Sequence, residues 1–140
     1  MKLMKVLAVL LLAGALASCG GLTRKDTGRW LDSKNTPSTA DMTGEWDSSE
    51  SLSGGWGRAT FYQEGRNFSG TLGRYSAEGV VSGEEIYLVL YSGKTVYYTA
   101  TLKKKDNDTY MGKAVYEAIA DHKDARTAQS YLITLKKVTR

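Results

Sequence analysis

Residues 86–102 read IYLVLYSGKTVYYTATL and give the clearest indication of the fold. It places two runs of β-favouring residues on either side of Ser92-Gly93, a pair that is typical of a hairpin turn. Apolar side chains occupy the even positions of 96–102, which predicts that they share one face of a strand, with Tyr97 and the threonines on the other. Residues 86–91 are apolar on both faces, which indicates a central strand or a strand covered from outside by the N-terminal segment.

The same kind of pattern continues on both sides of this hairpin, with turn residues at intervals of about ten residues. The predicted strands are Gly44–Trp46, Trp56–Gln63, Phe68–Gly73, Gly79–Ser82, Ile86–Tyr91, Thr95–Lys103, Tyr110–Tyr116 and Tyr131–Val138. Short turns join neighbouring antiparallel strands, and closure removes the edges of the sheet. We therefore predict an all-β fold, an eight-stranded up-and-down antiparallel barrel, with a β-sandwich as the alternative.

The connections between the predicted strands are short, with one exception. Turns are predicted at Glu64–Asn67, at Ser92-Gly93 and at Lys105–Asp108, where glycine, asparagine and aspartate favour chain reversal. The one longer insertion is Glu117–Ser130, for which a short helix and a lid-like loop fit the sequence equally well.

Residues 1–20 contain the three parts of an export signal. A basic start with Lys2 and Lys5 is followed by an uninterrupted apolar run over residues 6–17 and a small-residue exit at Ser18-Cys19-Gly20. Spanning a bilayer takes roughly 20 apolar residues, so this run is too short to be a typical transmembrane helix.

The exit of this signal, Leu16-Ala17-Ser18-Cys19, resembles the lipobox of bacterial lipoproteins. The resemblance implies that Cys19 receives a diacylglycerol and that the signal peptide, residues 1–18, is removed immediately before it. Two acyl chains give a stable membrane anchor, and no second cysteine is present to form a disulfide with Cys19. Gly20 stands where many lipoproteins retained in the inner membrane carry aspartate, so the resemblance implies the outer membrane, facing the periplasm.

Removing residues 1–18 takes away two lysines, which leaves 17 basic against 15 acidic residues and lowers the net charge from +4 to +2. We therefore expect no nucleic-acid partner. Residues 19–41 are polar and are predicted to be a lipidated flexible tether, on which Trp30-Leu31 is an apolar pair that docks back on the domain. Residues 42–140 are predicted to be the barrel domain, and we expect a monomer.

The first predicted strand carries a second resemblance. Thr43-Gly44-Glu45-Trp46 resembles the Gly-x-Trp that opens lipocalin-like barrels, in which the tryptophan plugs the closed end. Glycine-punctuated segments around residues 63–70 and 81–83 are similar to those of small bacterial members. The resemblance covers residues 43–138, lacks the later Thr-Asp-Tyr motif of the family, and implies a barrel that binds a small apolar ligand.

Residues for catalysis are sparse. His122 is the only histidine, which excludes histidine-based triads and most zinc sites. Asp106-Asn107-Asp108 lacks the glycine of a calcium-binding EF-hand loop. Glu84-Glu85 and the pair Asp121/Asp124 lie in polar segments that offer no burial to separate two pKa values. We therefore predict no enzyme, no metal and no cofactor.

All nine tyrosines lie between residues 62 and 131, where they serve strand formation or line a ligand mouth. The candidate lining residues are Trp46, Gln63, Tyr87, Tyr91, Tyr97, Tyr98 and Tyr110. The expected function is a non-enzymatic binding or accessory role in the cell envelope, with a small apolar ligand as one partner. The alternative is a protein-binding or assembly factor, because Ser92–Tyr97 resembles the Ser-Gly loop of small lipoprotein barrels that inhibit lysozyme.

Overall fold

The structure, a computed structural model, describes residues 21–139. Its strands are β1 (Gly44–Asp47), β2 (Arg58–Glu64), β3 (Asn67–Leu72), β4 (Tyr75–Ser82), β5 (Glu85–Ser92), β6 (Thr95–Asp106), β7 (Thr109–Tyr116) and β8 (Ser130–Lys137). Helix α1 (Arg24–Asp32) precedes them, and a 3-10 turn (Lys123–Arg126) lies between β7 and β8. The predicted signal peptide, with its lipobox residues Leu16, Ala17 and Ser18, and the predicted lipidation site Cys19 lie outside the described residues.

Each strand pairs antiparallel with its neighbours in sequence, and β1 also pairs with β8. The sheet is therefore a closed, up-and-down, eight-stranded barrel, as predicted, and the sandwich alternative is wrong. Within residues 21–139, no helix has the length and apolar character needed to cross a bilayer.

Four hairpins use a two-residue turn that begins with glycine. Gly65, Gly73, Gly83 and Gly93 have φ angles of 64°, 58°, 61° and 58°, which glycine adopts without the steric cost of a Cβ atom. The turns predicted around Gly65 and Gly93 are confirmed. Because Gly73 also reverses the chain, β4 begins at Tyr75, four residues earlier than predicted.

Side chains from all eight strands fill the interior of the barrel, which we call the inner core. Its buried members are Met42, Trp46, Ala59, Phe61, Phe68, Leu72, Ala77, Val81, Ile86, Leu88, Leu90, Ala100, Leu102, Tyr110, Ala114, Ile133 and Leu135. None of them is more than 4% exposed. The interior is thus packed with side chains, one of the two states that eight-stranded barrels adopt.

The predicted alternation along β6 fails at the start of this strand. Leu90 pairs with Tyr98 and Tyr91 pairs with Val96, so Tyr97 is the extra residue of a β-bulge. The bulge turns Val96 outward, whereas Tyr98 still faces the inner core. The prediction that Val96 and Tyr98 share a face is therefore wrong, because one inserted residue reverses a pattern of period two.

The N-terminal segment differs from the flexible tether predicted for residues 19–41, because it packs on the barrel from Leu22 onward. Thr23 and Asp26 form a capping box in which each side chain accepts a hydrogen bond from the other residue's backbone N–H. The helix that follows buries Trp30-Leu31, and the predicted docking of this pair is confirmed. The N-terminal segment is thus ordered by its capping box and by the buried pair Trp30-Leu31, although its composition is polar.

The helix α1 covers the outer surface of β4, β5 and β6 through a second set of apolar residues, the outer cluster. Its buried members are Trp30, Leu31, Val80, Val89, Val96 and Ile119. The indole of Trp30 meets the ring of Tyr87 edge-on at 5.6 Å between centroids, and its Nε1 donates a hydrogen bond of 2.8 Å to Asp121. Lys34 binds the same carboxylate. The apolar outer face of β5 is therefore covered from outside, as one of the two interpretations predicted.

The long connection after β7 packs on the side of the barrel. The hydroxyl of Thr99 donates to the carbonyl of Ala118 at 2.7 Å and accepts from the N–H of Ala120 at 2.8 Å. Ile119 joins the outer cluster. The connection is thus a loop with one 3-10 turn that lies against β6 and α1.

Candidate functional site: an aromatic rim at one end of the barrel

In an up-and-down barrel, the connections after β1, β3, β5 and β7 lie at the same end. Six half-buried aromatic side chains gather at this end, and we call them the aromatic rim. They are Trp56, Tyr75, Tyr97, Tyr98, Tyr116 and Tyr131.

Tyr98 lies at the centre of the aromatic rim. Its ring centroid is 4.9 Å from that of Trp56, 5.5 Å from Tyr116, 5.8 Å from Tyr75 and 5.9 Å from Tyr131. Most of these contacts are edge-on, an arrangement that the aromatic quadrupole favours. Trp56, Tyr75 and Tyr98 also pack against the inner core. The rim is therefore the last layer of the core and, at the same time, a partly exposed surface.

Serine hydroxyls fix the position of Trp56, which lies in the β1–β2 loop and not at the start of a strand as predicted. The buried hydroxyl of Ser48 accepts a 2.8 Å hydrogen bond from the N–H of Trp56 and donates one of 2.6 Å to the carbonyl of Gly57. Ser51 accepts a 2.9 Å hydrogen bond from the N–H of Thr134 in β8. The loop is thus attached to the barrel wall where β1 is too short to pair with β8.

Two tyrosines of the rim, Tyr98 and Tyr116, have raised pKa values. Burial, followed by the nearby Tyr75 and Tyr131, raises the pKa of Tyr98. A hydrogen bond to Glu117, with the charge of that carboxylate, raises the pKa of Tyr116. Phenols with raised pKa values remain protonated at neutral pH. At Tyr98 and Tyr116, the rim therefore offers apolar ring faces beside neutral hydroxyl groups that donate and accept hydrogen bonds.

Two backbone irregularities meet at the rim. Glu117, directly after Tyr116, has a φ of 52°, which is uncommon for a residue other than glycine. Its N–H donates a 2.9 Å hydrogen bond to the carbonyl of Tyr97, the bulge residue of β6. Strained residues and bulges concentrate at functional sites and at the rims of barrels, and here they fix the spacing of β6 and the end of β7.

Cationic side chains flank the rings. Arg74 and Lys94 are exposed, and each is the second residue of a tight turn at the rim end. Arg74 directly precedes Tyr75 of the rim. The short turns around the rim thus present positive charge beside aromatic surface.

The structure does not bring the seven predicted ligand-lining residues together. Trp46, Gln63 and Tyr110 lie at the opposite, closed end of the barrel, where the Gln63 side chain donates to the carbonyl of Ala40 and accepts from the N–H of Met42, both at 2.8 Å. Gln63 therefore holds the segment that covers this end.

The remaining four predicted residues divide between the outer surface and the rim. Tyr87 and Tyr91 pack against the outer cluster beneath α1, and Tyr97 and Tyr98 belong to the aromatic rim. Burial, followed by a hydrogen bond to Glu85, raises the pKa of Tyr87. The four other rim residues, Trp56, Tyr75, Tyr116 and Tyr131, were missed, although each lies next to a connection at the same end.

A second surface feature, the lateral groove, lies on the outer face of the barrel. Its volume is about 440 Å³, and its lining includes Leu52, Thr101, Met111, Lys113 and Leu132. Leu52 is 79% and Leu132 43% exposed. Within residues 21–139, the buried hydroxyl oxygen of Thr101 has no hydrogen-bond partner.

Comparison with protein-family models, with curated proteins and with solved structures finds no match to this chain.

Proposed function

We propose that this chain is a lipid-anchored protein of the bacterial cell envelope with a non-enzymatic binding role, and that it binds through the outer surface of its barrel. The closed β-barrel is compatible with a binding role. The lipobox-like Leu16-Ala17-Ser18-Cys19 supports the anchor, and Gly20 supports the outer membrane, facing the periplasm.

The packed interior is the observation that carries this proposal. Trp46, Phe68 and Leu88 are each at most 2% exposed. A ligand inside the barrel would have to displace such side chains and leave them without their contacts, which costs several kcal/mol, about 2–5 for a single large-to-small change in a core. Surface binding requires no such rearrangement, and the aromatic rim offers partly exposed tyrosine and tryptophan side chains, which are enriched where proteins bind partners.

The anchor is tested by metabolic labelling with a fatty acid. We expect Cys19→Ala to abolish the label and to leave the precursor uncleaved, because the variant lacks the acyl acceptor. Ser18→Ala is the matched control, since a second small residue keeps the lipobox pattern, and it should still be labelled and cleaved. An unlabelled wild-type protein would contradict the anchor.

The mode of binding is tested by native mass spectrometry of the purified protein. We expect the mass of the polypeptide with its anchor and no retained small molecule. A lipid or other apolar compound that remains bound, and that Leu88→Phe expels by overfilling the interior, would contradict surface binding and support an internal ligand.

A protein-binding role through the lateral groove is the second candidate. The unpartnered hydroxyl of Thr101 favours it, because a buried polar group without a hydrogen bond costs about 1–3 kcal/mol, and a bound partner removes that cost. Leu52 and Leu132 offer the exposed apolar contacts. We expect the partner to be an extended segment of another envelope protein that places an apolar side chain between Leu52 and Leu132.

Site-specific photo-crosslinking in living cells tests the second candidate. A photoreactive residue at Leu132 should give one adduct of defined mass, and Leu52→Ser should reduce it. The same probe at exposed Tyr62, which is not among the groove residues, is the control. Equal adducts from both positions would contradict a groove-specific partner. In a separate assay, the purified protein is added to lysozyme and bacterial cells, and slower lysis would identify lysozyme as one such partner.

A further inference from the structure

We propose that the aromatic rim rests on the membrane surface beside the lipid anchor, so that the barrel stands on the bilayer with its closed end pointing away. The partner of the rim is the interface of a phospholipid bilayer. This inference rests on the proposed lipidation of Cys19.

The first step is the length of chain between the anchor and the folded domain. The ordered contacts begin at Leu22, which packs against the outer cluster. Only Gly20 and Gly21 separate Leu22 from Cys19, and three Cα-to-Cα steps place the Cα atoms of these two residues at most about 11 Å apart. A domain held by a connection this short has one of its surfaces at the level of the lipid headgroups.

The second step is the position of that connection on the barrel. The guanidinium of Arg24, at the start of α1, lies 3.9 Å from the ring centroid of Tyr91. Tyr91 is the penultimate residue of β5, whose last residue, Ser92, precedes the turn at the rim end. At the other end of α1, Arg66 in the β2–β3 turn at the closed end donates to the carbonyl of Lys34. The helix therefore runs from the rim towards the closed end, and its N-terminus lies on the rim side.

The third step is the chemistry of the rim. Tyrosine and tryptophan are enriched at membrane–water interfaces, because the ring prefers the acyl boundary while the hydroxyl or indole N–H keeps its hydrogen bonds. Five tyrosines and one tryptophan, all half-buried, form this rim. Arg74 and Lys94 add positive charge beside it, which anionic headgroups attract near the surface.

The closed end lacks this character. Residues 34–42 cross it, and polar contacts such as Ser38 Oγ to the carbonyl of Gly83, at 2.7 Å, hold them there. Met42 and Trp46 beneath this segment are at most 1% exposed. Among residues 21–139, the rim end thus combines partly exposed aromatic rings with proximity to the proposed anchor, and the closed end does not.

The three tryptophans make this orientation measurable. Trp30 and Trp46 are 4% and 1% exposed, whereas Trp56 is the half-buried tryptophan of the rim. The lipidated protein is bound to vesicles of phosphatidylcholine and phosphatidylglycerol that carry bromine on the acyl carbons nearest the headgroup. We expect bromine to quench part of the tryptophan emission, Trp56→Phe to abolish that quenching, and the vesicles to protect Trp56 from aqueous iodide.

Two controls complete the experiment. Tyr62 is 64% exposed on the wall of the barrel, and in the Trp56→Phe protein the reporter Tyr62→Trp should respond to iodide and not to bromine. The double variant Arg74→Glu/Lys94→Glu should weaken the bromine quenching of Trp56 in anionic vesicles more than in pure phosphatidylcholine. Thermal unfolding of each variant checks that the barrel is intact.

The outcomes separate this inference from the anchor. Protein that fails to float with the vesicles refutes the lipid anchor. If the protein floats with the vesicles, but Trp56 emission is not quenched by bromine and is still quenched by iodide, the orientation alone is refuted. Protection of Trp56 by soluble peptidoglycan fragments and not by vesicles would overturn the bilayer as the partner in favour of a glycan.

Discussion

The inner core and the outer cluster are both buried, but they are built differently. The inner core draws side chains from every strand of a closed sheet. The outer cluster joins one short helix and Ile119 to three strands. Valines at adjacent positions of β4 show the contrast, because Val80 lies beneath α1 and Val81 lies in the barrel.

This difference implies two kinds of stability. The inner core becomes exposed only when the barrel opens, since its residues are contributed by a closed ladder of hydrogen bonds. The outer cluster becomes exposed when α1 leaves the barrel, which is a local event of lower free energy. The proposed lipidation site, Cys19, directly precedes this locally released part, so under that proposal the docking of α1 also decides how closely the barrel is held to the membrane.

The two buried tryptophans provide the largest test of this comparison. Each donates an indole hydrogen bond, Trp46 to the carbonyl of Met42 at 2.9 Å and Trp30 to Asp121 at 2.8 Å. We expect Trp46→Ala to lower the free energy of unfolding by about 3–5 kcal/mol, the range for large truncations in a core. Trp30→Ala should cost less, about 1–3 kcal/mol, because undocking of α1 limits the loss. Urea unfolding followed by circular dichroism measures both, and equal losses would mean that α1 is an integral part of the barrel.

The adjacent valines sharpen the comparison through additivity. Val80→Ala and Val81→Ala each remove two methyl groups and should each cost about 1.5–2.5 kcal/mol. In a Trp30→Ala background, Val80→Ala should lower the free energy of unfolding by less, because α1, which packs on Val80, is already loosened. The loss caused by Val81→Ala should be the same in both backgrounds. Urea unfolding of the three single variants and the two double variants gives both coupling energies. Similar coupling for the two valines would refute a separate outer cluster.

The barrel could be predicted from the sequence because period-two alternation and glycine turns are local signals. Gly65 and Gly93 mark their hairpins, and Ile133 and Leu135 share the inward face that their spacing predicts. The bulge at Tyr97 could not be predicted, since an extra residue in a strand depends on its pairing with Leu90 and Tyr91. Residues 22–41 were predicted to be flexible because their composition is polar. The capping box and the apolar pair Trp30-Leu31, which order this segment, were given less weight than composition.

The candidate site was harder to predict, for a reason of geometry. Alternation tells which face of a strand is buried, but it does not tell how far along the barrel axis a residue lies. Tyr110 and Tyr98 both face inward, yet one lies at the closed end against Trp46 and the other at the centre of the rim. The connections after β1, β3 and β7 place Trp56, Tyr75 and Tyr131 at the same end of the barrel. This grouping follows from the sequence only once the sheet is known to be a closed, up-and-down barrel.

The smallest expected effect comes from acid, and it is confined to the outer cluster. Although burial raises the pKa of Asp121, hydrogen bonds from Lys34 and Trp30 outweigh it, and the pKa lies below its ordinary value. A carboxylate with a lowered folded-state pKa stabilises the fold fully above the ordinary aspartate pKa of about 3.9, and this contribution is lost as the pH falls through the folded-state pKa. Asp121→Asn keeps an acceptor for the Trp30 indole and removes the charge. The wild type should therefore exceed this variant in unfolding free energy at about pH 6, and the difference should vanish by about pH 2. Because the variant retains Asp26 and the other carboxylates, their titration affects both proteins equally and cancels when the two unfolding free energies are subtracted. If the difference in unfolding free energy does not change with pH, the Lys34–Asp121 pair does not hold α1 on the barrel.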